Sequence, residues 1–261
     1  MNAGLNLFSI RNLIKTEDEF LDTALKLREM GYSYLQYSGA EFDPDRIKRV
    51  SDESGLPVIL THVPFDRIIG DTEALMEEHS RFGCTSIGLG ALNSQYLLDE
   101  KELKTKVDEL NRAGEIMAKN GFNFCYHHHA FEFYKLSNNE TVFDYMLNNA
   151  PYINFTVDTY WLQYGGVSVL EYINKVGKRM AFLHLKDYKM ETQLKEDGKS
   201  YRFVPDFAPV GDGNIDFKTI VQKAKDIGLE YFLVEQDNAA LKEDSLGEIR
   251  RSIEYIKNNF N

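Results

Sequence analysis

Four apolar stretches of this chain lead to residue types that bind metal ions. Three end directly on Asp158, His184 and Glu235, and the fourth leads through three histidines, residues 127–129, towards Glu132. Short apolar runs rich in β-branched and aromatic residues and bounded by turn residues predict buried strands. In a closed parallel barrel the carboxyl ends of the strands converge on the face that carries the chemistry. Three carboxylates and one imidazole at that face predict a site for a divalent metal ion.

The histidine run leaves the first ligand of this site open. Side chains alternate along a strand, so His127 and His129 should share one face about 7 Å apart, while His128 points away and packs against a helix or reaches solvent. Glu132 lies three residues beyond His129, far enough for the chain to turn and bring its carboxylate back over the rim. Spacing does not decide between His127 and Glu132, and Glu132 is the preferred choice.

Two of the expected ligands also have simpler explanations. An Asp after a strand is commonly a helix N-cap, but Gly165 and Gly166 separate Asp158 from the next predicted helix. His184 taken alone fits an ordinary, partly buried histidine. Glu235 has a weaker alternative, because an apolar strand that ends on Glu leaves a carboxylate in need of a partner.

Other residues near the predicted strand ends can contact a substrate. Lys186 follows the seventh predicted strand and can reach an anionic intermediate, unless it forms a solvated charge pair with its neighbour. His62 ends the third predicted strand, and Trp161 is suited to stacking on the apolar face of a sugar. His79 lies among charged residues of a predicted helix and is expected at the surface.

The order of predicted elements indicates the fold that positions these residues. Eight predicted strands alternate with eight predicted helices, from a first strand at residues 5–9 to a last helix at 245–258. Strict alternation implies a parallel sheet with right-handed crossovers, and eight units close it into a barrel. We therefore predict an α/β fold, a single (β/α)8 TIM barrel domain over residues 1–261. Residues 186–216 are predicted to form a long polar insertion. An open doubly wound sheet or a seven-stranded barrel would not explain four successive strands ending on ligand-type residues.

Composition restricts the partners and the compartment. The formal net charge of −11 argues against a nucleic-acid partner, because phosphate binding depends on Lys and Arg. Cys84 and Cys125 show no metal-type or redox-type spacing and are interpreted as small core residues of a reduced compartment. We see no signal peptide and no apolar run near the roughly 18 residues of a membrane span. The expectations are a cytoplasmic protein, no membrane partner and a small polar substrate.

Several motifs together resemble those of a known family, the sugar phosphate isomerase/epimerase family of xylose isomerase-like barrels. The motifs are Tyr126-His127-His128-His129-Ala130-Phe131-Glu132-Phe133, Val157-Asp158-Thr159-Tyr160-Trp161, His184-Leu185-Lys186-Asp187, Pro209-Val210-Gly211-Asp212-Gly213 and Val234-Glu235-Gln236-Asp237. The resemblance implies a divalent ion, most often Mn²⁺, held by Glu132, Asp158, His184 and Glu235, with Mg²⁺, Co²⁺ or Zn²⁺ as alternatives. It departs from the ketose 3-epimerases, which have Glu at the position of His127 and His at the position of Trp161.

The resemblance and the predicted ligands imply a metal-dependent sugar isomerase or epimerase. Such an ion stabilises the enediolate formed by proton abstraction from a keto or aldo sugar or a cyclitol. Glu235 or His129 would remove the proton, and Lys186 or His127 would stabilise the oxyanion or return a proton. Two alternatives remain: a lyase or hydratase acting on a 3-keto-glycoside or inosose by elimination, and a sugar-binding barrel without turnover. A homo-oligomer is compatible with the sequence, which indicates no interface.

Overall fold

Eight parallel strands close into a barrel in the computed structural model, which describes residues 1–260. This confirms the predicted TIM barrel. The barrel strands are β1 (Gly4–Asn6), β2 (Leu35–Tyr37), β3 (Val58–His62), β4 (Ser86–Leu89), β5 (Asn123–His127), β6 (Asn154–Asp158), β7 (Met180–Leu185) and β10 (Phe232–Val234). Around the barrel their order is β1-β10-β7-β6-β5-β4-β3-β2.

Alternation of side chains along each strand separates two cores. One small cluster fills the inside of the barrel, and Cys125 of β5 belongs to it together with Phe182 and Leu233. The larger cluster lies between the strands and the helices, and Tyr126 of β5 belongs to that one. The parity of β5 therefore directs His127 towards the barrel interior, because side chains two residues apart share a face.

Helices surround the barrel, and their ends follow sequence signals. Thr16 and Glu19 form a capping box at the start of the first helix, and Gly31 ends it with a positive φ of 98°. The helices are α1 (Glu17–Met30), α2 (Pro44–Ser54), α3 (Phe65–Gly70), α4 (Thr72–Ser80), α5 (Glu100–Lys119), α6 (Val142–Asn149), α7 (Thr159–Tyr164), α8 (Val169–Val176), α9 (Phe217–Asp226) and α10 (Ser245–Asn259). Within residues 1–260, none of these helices has the length and hydropathy needed to cross a bilayer.

The insertion after β7 is not the polar loop that we predicted. It forms an antiparallel hairpin of β8 (Asp187–Leu194) and β9 (Tyr201–Ala208), which we call the arm. The buried carboxylate of Asp187 anchors its base by accepting backbone N–H groups from Tyr188 and, in the loop that follows β9, from residues 211, 213 and 215. The arm therefore rises from the same end of the barrel as the predicted site.

His79 is buried, and its predicted surface position is wrong. One ring nitrogen lies 2.7 Å from Thr61 Oγ1 and the other lies 2.6 Å from the carbonyl oxygen of Leu75. The ring stacks on Phe42 with 4.9 Å between ring centroids. Burial lowers the pKa of His79 to about 4. His79 is therefore a neutral histidine that joins α4 to β3.

Candidate metal centre

Four side chains from the carboxyl ends of β5, β6, β7 and β10 meet inside the barrel mouth. They are His127, Asp158, His184 and Glu235, and one ligand atom from each lies within 4.8 Å of every other. All four residues are buried. The predicted convergence of Asp158, His184 and Glu235 is thus observed in the structure.

The distances identify the atom that each side chain directs to the common centre. His184 Nδ1 lies 2.9 Å from Glu235 Oε2 and 3.7 Å from Asp158 Oδ2. His127 Nε2 lies 3.4 Å from Asp158 Oδ2 and 3.8 Å from Glu235 Oε2. Two imidazole nitrogens and two carboxylate oxygens therefore surround one point.

The opposite atom of each of these side chains is held by another group of the protein. Such outer contacts fix the tautomer and orientation of metal ligands. The two histidines donate to protein oxygens: His127 Nδ1 to the Gly90 carbonyl (3.0 Å) and His184 Nε2 to Gln36 Oε1 (2.7 Å). The two carboxylates accept: Asp158 Oδ1 from the backbone N–H of Trp161 (2.9 Å) and Glu235 Oε1 from Asn6 Nδ2 (2.6 Å). Each residue is left with one atom directed at the centre.

Asp158 caps a helix and also faces the cluster. Its Oδ1 caps the short helix α7, which begins directly after it and was not predicted. Its Oδ2 faces the cluster. Because a carboxylate has two oxygens, one residue can end a strand, start a helix and still present a ligand atom.

The protonation of the cluster suits a divalent cation. Burial opposes ionisation of Asp158 and Glu235, but the Lys186 ammonium and the neighbouring histidines outweigh burial and hold both carboxyl pKa values below their usual range. Burial alone would lower the pKa of His184, but Glu235 and Asp158 raise it to about 9. His184 Nδ1 is buried and lies 2.9 Å from Glu235 Oε2, but this contact lacks the angle of a hydrogen bond. A metal ion would replace the His184 proton, as metal binding to histidine requires.

The ligand types fit a divalent ion and favour some ions over others. Mixed imidazole and carboxylate ligands are typical of sites for Mn²⁺, Co²⁺ and Zn²⁺, whereas sites for Mg²⁺ and Ca²⁺ typically contain only oxygen ligands. The cluster can therefore hold a divalent metal ion, with His127, Asp158, His184 and Glu235 as its ligands.

Glu132, the preferred first ligand, is not brought into this cluster. It lies in a 3-10 turn, Phe131–Phe133, that folds back against the outer side of β5. Its carboxylate accepts hydrogen bonds from the Tyr126 hydroxyl (2.5 Å) and from the backbone N–H of His129 (2.8 Å). Tyr126 faces the helix layer, so Glu132 points away from the barrel interior. His127, the alternative that spacing left open, takes its place.

His128 packs outward, as expected from alternation. Its ring contacts Phe133 and Phe143 edge-on, with centroid distances of 5.7 and 5.1 Å. Its Nε2 accepts the backbone N–H of Asp158 at 3.0 Å. His128 therefore supports the cluster from behind by fixing the backbone of one ligand.

Lys186 is buried beside the cluster and is not part of a solvated charge pair. Its Nζ lies 2.8 Å from Asp237 Oδ1 and 3.3 Å from Glu235 Oε2, and 4.8 Å from the centre of the Trp161 ring. Burial lowers the pKa of Lys186, but Glu235 and two other carboxylates outweigh burial and raise it. Lys186 is therefore a fixed cation. Sequence reasoning missed Asp237, although it lies two residues beyond Glu235.

His129 reaches the same region as a neutral imidazole. Burial, together with His127 and Lys186, lowers its pKa to about 3. Its ring stacks on Phe131 with 5.4 Å between centroids and lies 5.0 Å from the Trp161 ring. Its Nδ1 is buried without a hydrogen-bond partner. His129 is thus an uncharged imidazole beside the cluster.

A cavity of about 360 Å³ opens beside the cluster. Its wall includes five residues that were predicted for the site, together with Asp237. They are His62, His127, His129, Lys186, Glu235 and Asp237. His62 stacks on His127 with 5.6 Å between ring centroids, and Gln36 Nε2 lies 2.9 Å from His62 Nε2. Trp161 is not part of this wall; it packs against Lys186 and His129 instead.

Comparisons with known proteins agree with this fold. The model of a family described as xylose isomerase-like TIM barrel matches residues 25–259. An inosose dehydratase from Clostridium perfringens is 26% identical over 99% of this chain and 87% of its own length. An inosose dehydratase from Geobacillus thermodenitrificans is 31% identical over 53% of this chain and 48% of its own. The crystal structure of a sugar phosphate isomerase/epimerase from Parabacteroides distasonis matches with a TM-score of 0.78 at 20% identity, covering 98% of this chain and 93% of that one.

Proposed function

Because the chain belongs to the xylose isomerase-like TIM barrel family, we propose that it is a metal-dependent lyase that removes water from a keto-cyclitol such as an inosose, or from a related keto-sugar. The sequence analysis favoured an isomerase or epimerase and kept the lyase as its alternative. Relatives named inosose dehydratase, aligned over nearly the whole chain, favour the lyase. The observation that carries the proposal is the cluster of four ligand atoms beside a neutral His129 and a charged Lys186.

The cavity supports a small uncharged substrate. Its volume of about 360 Å³ lies near the lower end of the range for small-molecule sites. No arginine lines it, and its lysine, Lys186, is already paired with Asp237 and Glu235. A phosphate group would lack a free cation there, whereas the hydroxyl groups of a polyol ring meet imidazole, amide and carboxylate partners.

His127, Asp158, His184 and Glu235 would hold the ion. When bound, the divalent ion supplies a Lewis acid that polarises the substrate carbonyl and acidifies the adjacent C–H bond. Glu235 is then a ligand and not the base, because Asn6 holds its Oε1 and its Oε2 faces the centre.

His129 is the proposed base for the proton next to the ketone. Burial, His127 and Lys186 lower its pKa, so the ring is neutral at physiological pH. Negative charge that forms on the substrate beside it would favour its protonated form. It lines the cavity, and its Nδ1 has no hydrogen-bond partner among residues 1–260. As the C–H bond breaks, its electron pair forms a carbon–carbon double bond with the carbon that carries the leaving hydroxyl.

Lys186 is the proposed cation for the charge that develops on the substrate. Its ammonium, held by Asp237, stabilises negative charge on the substrate oxygen. His129 gives the proton that it took from carbon to the leaving hydroxyl as the C–O bond breaks, and the imidazole returns to its neutral form. One water molecule leaves, containing the hydroxyl and that proton.

The test measures proton exchange and dehydration of the substrate in the same sample. Protein loaded with Mn²⁺ is incubated with inosose in D₂O, and NMR reports exchange of the proton next to the ketone and loss of water. We expect both, and neither after removal of the metal by a chelator. The Glu53→Gln variant, altered at an exposed position of α2, is the matched control and should behave as wild type.

Two outcomes would contradict the proposal in different ways. Exchange followed by an isomerised or epimerised sugar, with no water lost, would indicate the isomerase instead. Binding of inosose without exchange on any keto-cyclitol or keto-sugar would indicate a binding barrel without turnover.

A further inference from the structure

The arm exposes an apolar face that the rest of residues 1–260 leaves partly uncovered. Cross-strand pairing places Met190 opposite Pro205, Thr192 opposite Phe203, and Leu194 opposite Tyr201. Because side chains alternate along a strand, these residues share one face of the hairpin with Tyr188 and Phe207. Seven of the eight residues on this face are apolar. The arm is therefore an amphipathic two-stranded sheet.

The base of this face is packed, but its outer part is not. Phe207 and Tyr188 contact Tyr160 of α7, with ring centroids 4.8 and 5.2 Å apart. Further out, four residues that we call the arm patch are exposed to solvent. Their exposed fractions are 49% for Met190, 52% for Leu194, 62% for Tyr201 and 70% for Phe203.

The opposite, polar face of the arm is also attached to the barrel, through the loop after β10. Asn238, in the loop after β10, donates to Asp206 Oδ1 and to the carbonyl of Phe207, both at 2.9 Å. Lys242 lies 3.5 Å from the other oxygen of Asp206. These contacts and the packed base attach the arm to the barrel and leave the arm patch exposed to solvent. An isolated two-stranded hairpin is only marginally stable in water, so an exposed apolar face of this kind calls for a covering surface.

We propose that the arm patch is the contact surface of a twofold dimer, in which the arm of one copy packs against the arm of the other. A twofold interface uses the same surface on both copies, and the flat apolar face of the arm is such a surface. The proposal concerns assembly and does not depend on the proposed lyase activity.

The exposed area is sufficient for a dimer of modest stability. With about 150–250 Å² for each large side chain, the exposed fractions amount to roughly 400 Å² for the arm patch of one copy. Tyr164 of α7, which stacks on Tyr160 and is 60% exposed, adds about 100 Å² beside the packed base. Two copies together reach about 1,000 Å², the lower limit for a specific interface.

The charge distribution also favours contact between copies at this element. The chain carries a net charge of −11, yet residues 187–208 contain four basic and five acidic residues. Two acidic copies repel each other least where their surfaces are nearly neutral. Added salt should therefore strengthen the dimer by screening repulsion between the two bodies, whereas a dimer held by ion pairs would weaken.

The experiment compares variants that place the same charge on opposite faces of the arm. Leu194→Glu and Phe203→Glu alter the arm patch, and Gln193→Glu alters the polar face of the same strand. Sedimentation equilibrium should give a wild-type dimer, an unchanged dimer for Gln193→Glu, and dissociation constants raised about 100-fold for the two patch variants, as expected for a central aromatic or aliphatic contact. Circular dichroism melts establish that each variant is folded.

Further measurements keep the inference falsifiable. A Thr192→Cys variant places a thiol in the middle of the apolar face, while the two native cysteines are buried, so mild oxidation should link two copies. A wild-type monomer at all concentrations and salt levels would overturn the proposal. An oligomer that is unchanged in both patch variants would also overturn it. A monomer whose turnover falls in the patch variants would overturn it as well, because the arm would then cover its own barrel mouth.

Discussion

Replacing Glu132 by Gln separates the two roles that its position allows, metal ligand or buried anchor. The side chain is 1% exposed and accepts hydrogen bonds from Tyr126 and from the His129 backbone. Burial raises the pKa of Glu132 to about 7, although both hydrogen bonds oppose the shift. The carboxyl therefore holds its proton more tightly in the folded chain than in the unfolded chain, where the pKa is 4.5.

The sign and size of the effect on stability follow from that difference. A raised carboxyl pKa means that stability is greatest below about pH 4.5 and falls as the pH rises to about 7, because the folded state must then bury a charge. A difference of about 2.5 pKa units corresponds to roughly 3 kcal/mol of unfolding free energy. Wild type should lose this amount relative to Glu132→Gln between about pH 4.5 and pH 7, since glutamine does not ionise.

The assay is urea unfolding of the metal-free protein across this pH range, with Glu53→Gln at an exposed site as the control. Taking the difference between variants removes the titration of all other groups. Calorimetric titration of Glu132→Gln with Mn²⁺ should give an affinity close to that of wild type. Parallel pH curves for wild type and Glu132→Gln would refute the buried-anchor account. A 10- to 100-fold loss of metal affinity, which is the typical cost of a disturbed metal shell, would return Glu132 to that shell.

Three other substitutions test the surroundings of the cluster. Gln36→Leu removes the acceptor of His184 Nε2 and should weaken Mn²⁺ binding about 10- to 100-fold in calorimetry; an unchanged affinity would contradict the orienting role. Lys186→Met removes a positive charge 3.3 Å from Glu235 Oε2, so the metal affinity should stay equal or rise. Turnover should fall about 10²- to 10³-fold, because the cation that stabilises the substrate oxygen is lost. Loss of the metal would contradict this prediction. His129→Gln should keep the metal and lose exchange of the substrate proton in NMR, and retained exchange would exclude His129 as the base.

The barrel and the convergence of three of the four cluster residues could be predicted because their signals are local. Asp158, His184 and Glu235 each end an apolar run, and the strand ends of a barrel converge, which brings the three side chains together. The fourth ligand depended on where the chain turns after β5. The parity of β5, in which Cys125 and His127 share the inner face, favoured His127, but spacing alone could not exclude a turn that returns Glu132 to the rim.

The outer contacts of the cluster were missed because their signal is weak in one sequence. Asn6 ends β1 and Gln36 is the middle residue of β2, and neither short strand identifies the partner of its amide. A polar residue within a buried strand does indicate a need for a hydrogen-bond partner. That rule could have marked both positions without naming Glu235 or His184 as their partners.

Two further misses came from judging a segment by its charges. His79 has charged neighbours, but in a helix it shares a face with Leu75 and Met76, which are buried. The arm was interpreted as a loop from its polar composition, although Tyr201, Phe203 and Phe207 occupy alternate positions of β9. In both cases the periodicity carried the information that the composition hid.

The most direct test of the central claim is an anomalous scattering map at the manganese edge from crystals soaked in Mn²⁺. The account predicts one peak about 2.0–2.3 Å from His127 Nε2, Asp158 Oδ2, His184 Nδ1 and Glu235 Oε2, after small side-chain adjustments. A peak beside Glu132, or no peak among these four residues at saturating Mn²⁺, would contradict it.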